Sequence, residues 1–256
     1  IILKNKSKNY LLFLNSPNNP SGQICKNLEE ISKIAKSYNL IILSDEIYSE
    51  LSFEENFKSI SSFCPEKTII SSGLSKWCGA GGWRLGFFAI PTQLSNFLES
   101  IKTLASESYS TVNSPAQYAA VEAYSGDYSE YKIKTTNIFK SIGNYVYNQL
   151  KSNNVLINKP QGAFYLMPEF INNKYKNSTK LCEAILEQTG VAMLPASEFG
   201  FSPKRMLTRL SYTDFNGTGF LNNISNGKTL DDQTVEKYAP NVVEGVNKLS
   251  NWAKKL

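Results

Sequence analysis

YLLFLNSPNNPSGQICKNLEEISKIAKSYNLIILSDEIY (residues 10–48) holds two apolar runs separated by a turn and an amphipathic stretch. The first run, residues 10–14, has no polar interruption and is closed by NSPNNPSG, which predicts a strand buried on both faces. Leu28, Ile31, Ile34, Ala35 and Tyr38 then recur at helical spacing, with Asn27 placed as an N-cap and Glu30 three residues on. The second run, residues 40–44, reads as the next strand and leads into DEIY. Strand, helix, strand in this rhythm predicts a βαβ unit and a mainly parallel sheet.

Working outward, TIISS (residues 68–72) and LGFFAI (residues 85–90) extend the pattern by two strands, the last stopped by Pro91. Helical stretches follow over residues 95–105 and 115–124, and a long one over about 128–150. GAFYLM, a helix near residues 178–189, VAML and MLTRLS come next. Residues 219–232, polar and rich in Asn and Gly, read as a surface loop. A terminal amphipathic helix places Val242, Val246, Leu249 and Ala253 on one face. The expected division runs through the long helix: residues 1–145 form an α/β domain and residues 146–256 a smaller α+β domain.

The bulk composition narrows the function. With 256 residues, 41% of them hydrophobic and 12% aromatic, the chain can bury a sizeable core. The net charge of +5 comes from scattered lysines, a solvated basic surface rather than a nucleic-acid or membrane-binding patch. Cys25, Cys64, Cys78 and Cys182 form no CxxC pair and read as reduced thiols. No apolar run reaches bilayer length and no signal peptide stands at the start, so a cytoplasmic protein is expected. Histidine is absent altogether, which excludes every mechanism that needs an imidazole base. Proton transfer must then fall to Lys, Tyr, Cys, a carboxylate or a cofactor.

In open parallel sheets, ligands sit beyond the carboxyl ends of the strands. The first three apolar runs deliver Asn19, Asp45, Tyr48 and Lys76 at those ends. Each has a bland reading as well: a surface Lys, a turn Asp, a core Tyr, an Asn-Pro turn.

NSPNNPSG (residues 15–22), SDEIYSEL (44–51), GLSKWCGAGGWRLG (73–86), GAFYLM (162–167), AMLPASEFG (192–200) and TRLSY (208–212) together resemble the ordered motif set of fold-type I, class I/II aminotransferases. The resemblance implies an α/β large domain, a mainly parallel sheet with helices on both faces, and pyridoxal 5'-phosphate (PLP) as cofactor. It makes Lys76 the lysine that carries PLP as a Schiff base and shuttles the substrate proton. Asp45 becomes the partner of the pyridine nitrogen, while Tyr48 and Asn19 contact the cofactor O3′. Ser75 and Arg84 become phosphate ligands, and Arg209, with Asn19, grips the substrate carboxylate. Gly73 stands where the commonest family pattern has a hydroxyl residue, with Ser72 adjacent.

The function so implied is transfer of an amino group between an amino acid and a 2-oxo acid, in a homodimer. A PLP-dependent carbon–sulfur β-lyase would share every motif, and a non-catalytic PLP-binding regulator or an inert truncated remnant are the readings outside enzyme chemistry. The dicarboxylate-specific branch places an arginine before its YSNPP-like stretch, and SESYSTVNS (residues 106–114) has none. The family's N-terminal portion, with its glycine-rich phosphate loop and ring-stacking aromatic residue, precedes the first motif. The chain is therefore expected to lack that portion.

Overall fold

The computed structural model describes residues 10–54, 56–171, 174–224 and 230–256. Its contacts divide the chain into two compact units, the first made of Ile1–Pro17, Ile24–Glu50 and Glu55–Tyr128, the second of Asn18–Gln23, Leu51–Glu54 and Ser129–Leu256.

The first unit is built on a four-stranded sheet of β1 (Leu11–Asn15), β2 (Ile41–Asp45), β3 (Thr68–Gly73) and β4 (Gly86–Ala89), in that spatial order. The first three strands are parallel, with Asn15 beside Asp45 and Asp45 beside Ser71. β4 runs antiparallel to β3, pairing Ser71 with Phe88 and Gly73 with Gly86. The predicted βαβ unit is formed by β1, α1 (Leu28–Ser37) and β2. Between β2 and β3 the chain uses three short 3-10 turns instead of an α-helix. α2 (Ser95–Tyr109) and α3 (Ser114–Ser125) complete the unit, and Tyr124 of α3 meets Phe87 of β4 edge-on.

Two expectations for this region need correction. β1 is covered on one face only: Leu12 and Leu14 pack with Leu28, Ala35 and Ile42, whereas Leu11 and Phe13 are 59% and 60% exposed. The buried stripe of α1 is narrower than its apolar spacing suggests. Leu28, Ser32 and Ala35 are buried while Ile34 and Tyr38 stay exposed. Asn27 occupies the N-cap position without a side-chain capping bond. The helix stops at Asn39, which takes φ +51° and lets the Leu40 N–H reach back to Ala35 O.

The second unit begins with α4 (Ser129–Leu150). Two small antiparallel sheets follow, one pairing β5 (Val155–Leu156) with β7 (Glu169–Phe170). The other has the order β6 (Tyr165–Leu166), β9 (Thr208–Ser211), β8 (Leu194–Pro195). Around them lie α5 (Ser178–Thr189), α6 (Gly217–Asn223), α7 (Asp232–Tyr238) and α8 (Pro240–Ala253). Ile138, Ile142, Val146 and Leu150, one face of α4 at four-residue spacing, meet Leu181 and Ile185 of α5 and Val246 and Leu249 of α8 in one core. The division after Tyr128 leaves residue 145 inside α4, where Tyr145 and Val146 both belong to this core.

The first part of the stretch 219–232 is not the surface loop its composition suggests: residues 219–223 belong to α6. Asn216 caps α6 by accepting from Gly219 N at 2.9 Å, and Phe220 is fully buried. One large aromatic anchor outweighs the weak helix propensity of its Asn and Gly neighbours. Residues 225–229, also in that stretch, lie outside the described residues. The four cysteines are free, with Cys64 and Cys182 buried. No described helix is long and apolar enough to cross a membrane.

Candidate active site

In the first unit, the polar residues follow from where the parallel strands end. β2 closes on Asp45, whose Oδ1 accepts the backbone N–H of Ile47 at 3.3 Å. Its main-chain oxygen takes Asn15 Nδ2 at 3.1 Å and Ser16 N at 3.2 Å, which locks the ends of β1 and β2 together. Burial pushes the Asp45 carboxyl up from the ordinary range, against the Ile47 N–H and the Lys76 ammonium, which favour its charged form. Asp45 and Lys76 are thus close enough to act on each other.

Tyr48, three residues beyond Asp45, is buried, and Lys76 Nζ lies 5.7 Å from its ring centroid. That is within the range of a cation–π contact. Lys76 itself is placed by its neighbours: Leu74 and Trp77 are buried on either side, and Ala80 N closes the turn onto Leu74 O at 3.2 Å. Ser75 and Lys76 are held between them, half-buried. The structure brings Asp45, Tyr48 and Lys76 together at the ends of β2 and β3, with Ser75 beside Lys76.

Arg84 stands apart in conformation. It is exposed, takes φ +55° at the end of the Gly81–Trp83 turn, and donates from Nη1 to Gly81 O at 2.8 Å. With Ser72, Tyr109 and Asn113 it lines an open cavity of about 660 Å3. The structure also explains the glycine at position 73, beside Ser72. A Cβ on Gly73 would come within 2.7 Å of Leu85 O, so position 73 has no room for a hydroxyl side chain, and Ser72 beside it is one of the hydroxyl residues that line the cavity.

Glu46 is a second polar residue that the sequence did not single out. It is buried beside Asp45, and its Oε1 accepts from Ser44 Oγ at 2.8 Å and Ser59 Oγ at 2.6 Å. Burial raises its carboxyl above the ordinary range, and the Asp45 charge adds to that. The alternation of β2 carried the signal, since Ser44 and Glu46 share the face opposite Asp45.

The second unit holds the other two predicted residues. Asn19 belongs to the Asn18–Gln23 segment, where the Asn18 and Gln23 main chains pair and Gln161 N donates to Gly22 O at 3.1 Å. Gly22 has φ +66°, and a Cβ there would strike Tyr165 O at 2.6 Å, so only glycine permits this approach. Arg209 of β9 donates from Nη1 to Asn19 Oδ1 at 2.8 Å. Its guanidinium carbon lies over the rings of Tyr165 and Phe199, at 4.6 and 4.8 Å from their centroids. Its Nε is buried with no hydrogen-bond partner among the described residues. On the same strand Thr208 and Leu210 face the core, as does Tyr212 just beyond it, so the period of two turns Arg209 the other way. A guanidinium packed on two rings with an unsatisfied buried nitrogen suits a planar anion.

A family model described as "Aminotransferase class I and II" matches residues 2–216. The chain is 35% identical over 216 residues to an aspartate aminotransferase of Bacillus sp. strain YM-2, an alignment covering 80% of this chain and 53% of the relative. It is 34% identical to a probable N-acetyl-LL-diaminopimelate aminotransferase of Bacillus subtilis, covering 72% of this chain and 46% of that protein. Among solved structures, an alanine aminotransferase from Pyrococcus furiosus superposes with a TM-score of 0.80 at 28% identity, covering 100% of this chain and 60% of that one. The chain spans about half the length of the curated relatives it matches. With the motifs, the mostly parallel sheet and the family match in agreement, the chain belongs to the class I and II aminotransferase family.

Proposed function

We propose that this chain contributes the lysine-bearing part of a PLP-dependent aminotransferase, which moves an amino group between an amino acid and a 2-oxo acid. The observation that carries the proposal is the grouping of Lys76, Asp45 and Tyr48 at the carboxyl ends of parallel strands. An amine, a half-buried carboxyl and a phenol in one place match the aldehyde, the pyridine nitrogen and the ring hydroxyl of PLP. When bound, that cofactor supplies the electron sink for breaking a bond at the amino-acid Cα.

The chain's own residues do the rest. Lys76 Nζ would hold the cofactor covalently and, once freed, would serve as the base at the substrate Cα. Asp45 holds a proton on the pyridine nitrogen, and its burial strengthens that charge pairing by keeping water out. Tyr48 donates its hydroxyl proton to the ring oxygen. Ser75 and Arg84 are assigned to the phosphate, with Ser72 beside Arg84 on the cavity wall as an added hydroxyl. Arg209, held by Asn19, takes the substrate α-carboxylate. A homodimer in the cytoplasm is part of the same reading. Exposed Leu104, Tyr118 and Val121 on α2 and α3 offer apolar area for such an assembly.

The reading is tested by mixing the protein with PLP and recording its visible absorption. Wild-type protein is expected to develop a bound-cofactor band and Lys76→Ala to develop none. Covalently bound PLP in Lys76→Ala overturns the assignment.

A further inference from the structure

The second unit contains a cavity of about 310 Å3 that no residue assigned to amino-group transfer lines. It is enclosed by α4, the end of α5, β9 and α8, with Val146, Val191, Leu210, Val242, Val246 and Leu249 as its apolar walls. Leu210 and Arg209 are adjacent on β9, so their side chains leave opposite faces of the strand. Arg209 itself does not line the cavity, although Ser211, on the same face of β9, does. Its volume lies at the small end of the range for small-molecule pockets, too little for a nucleotide-sized guest.

Two features show that the space is shaped. Gly245 sits in the middle of α8, where glycine disfavours a helix relative to alanine. No crowding demands it there: a Cβ would meet only Val191 Cγ2, at 3.5 Å, an ordinary contact. What the missing side chain does is leave room between α8 and Val191. The polar edge of the cavity is one-sided in charge, with Ser211, Asp214 and Asn241 and no cation. Asp214 Oδ2 accepts a long bond from Asn241 Nδ2, at 3.3 Å, and no ion pair involves Asp214 among the described residues. Asp214 is exposed at the rim of the cavity, so its remaining acceptor positions face water, which a stronger donor can replace.

We propose that this cavity binds a small primary ammonium ion with a short branched apolar chain. The chain packs against the valines and leucines, and the ammonium group donates to Asp214 at the mouth. The proposal does not depend on cofactor binding.

The test is a titration of the protein with 3-methylbutylammonium, followed through backbone amide shifts in NMR, with 3-methylbutanol as the uncharged control. Saturable shifts are expected at Val191, Val242, Gly245 and Val246. Asp214→Asn is expected to weaken binding about tenfold, the value of a charged hydrogen bond. Gly245→Leu is expected to abolish it by filling the space. Gly245→Ala, whose new methyl meets only Val191, keeps the fold and is expected to weaken binding to a smaller degree, which supplies the steric arm if the leucine variant does not fold. The proposal is overturned if no saturable shift occurs at these amides. It is also overturned if the alanine variant binds as tightly as wild type, or if the alcohol binds as tightly as the ammonium ion.

Discussion

Arg209 is held by three contacts of two kinds, a hydrogen bond to Asn19 and the rings of Tyr165 and Phe199. This fixes the plane of the guanidinium before any ligand arrives, so little rotamer freedom is lost when an anion binds. Arg209→Ala is expected to reduce kcat/KM on the order of 100-fold, the loss of a charged, forked hydrogen bond, with most of the loss in KM. Steady-state kinetics of the loaded enzyme measure it, and an unchanged KM contradicts the role. Glu46 poses the opposite case, a buried carboxyl whose bonds come only from neutral serines. Its folded-state pKa lies above the unfolded value, so its contribution to stability is complete below the unfolded pKa and is lost as pH rises through the folded one. Glu46→Gln keeps an acceptor for Ser44 and Ser59 without the charge. Its thermal midpoint is expected to exceed that of wild type at pH 7, with the gap closing toward acid pH. A variant no more stable than wild type at pH 7 would show that the charge carries no cost there.

At the scale of elements, the strands and long helices were legible because their periodicity is local. The predicted helix over residues 178–189 coincides with α5, and the ends of α4 lie within a residue of the predicted span. Failures came where one long-range contact decided the outcome. α6 exists because Phe220 is buried among α4, α7 and the residues around Phe215, and nothing in its Asn- and Gly-rich neighbourhood announces that. Phe220→Ala is expected to cost about 3–5 kcal/mol, measured as a shift in the denaturant midpoint. A loss below about 1 kcal/mol would mean that the site collapses onto the space or that α6 adds little to the core. The same limit explains the site. Asp45, Tyr48 and Lys76 could be read from strand ends, whereas Ser72 depends on the approach of Leu85 O to Gly73, a contact between β3 and the segment before β4. One-sided cover of β1 was illegible for the same reason, because an apolar run does not say whether both of its faces meet a partner.

Across the whole molecule, the residues of the proposed function are distributed over two compact units. Asp45, Tyr48, Ser75, Lys76 and Arg84 lie in the first, Asn19 and Arg209 in the second. That distribution suits a reaction that separates cofactor chemistry from substrate recognition, and it accounts for motifs scattered over residues 15–212 of the chain. The central claim concerns one lysine among many, most of them exposed. Its most direct test is to incubate the protein with PLP, reduce with borohydride, digest, and map the fixed pyridoxyl group by mass spectrometry. The account predicts the label on the peptide containing Lys76, at a stoichiometry approaching one per chain. A label spread over surface lysines, or concentrated on any lysine other than Lys76, would contradict it.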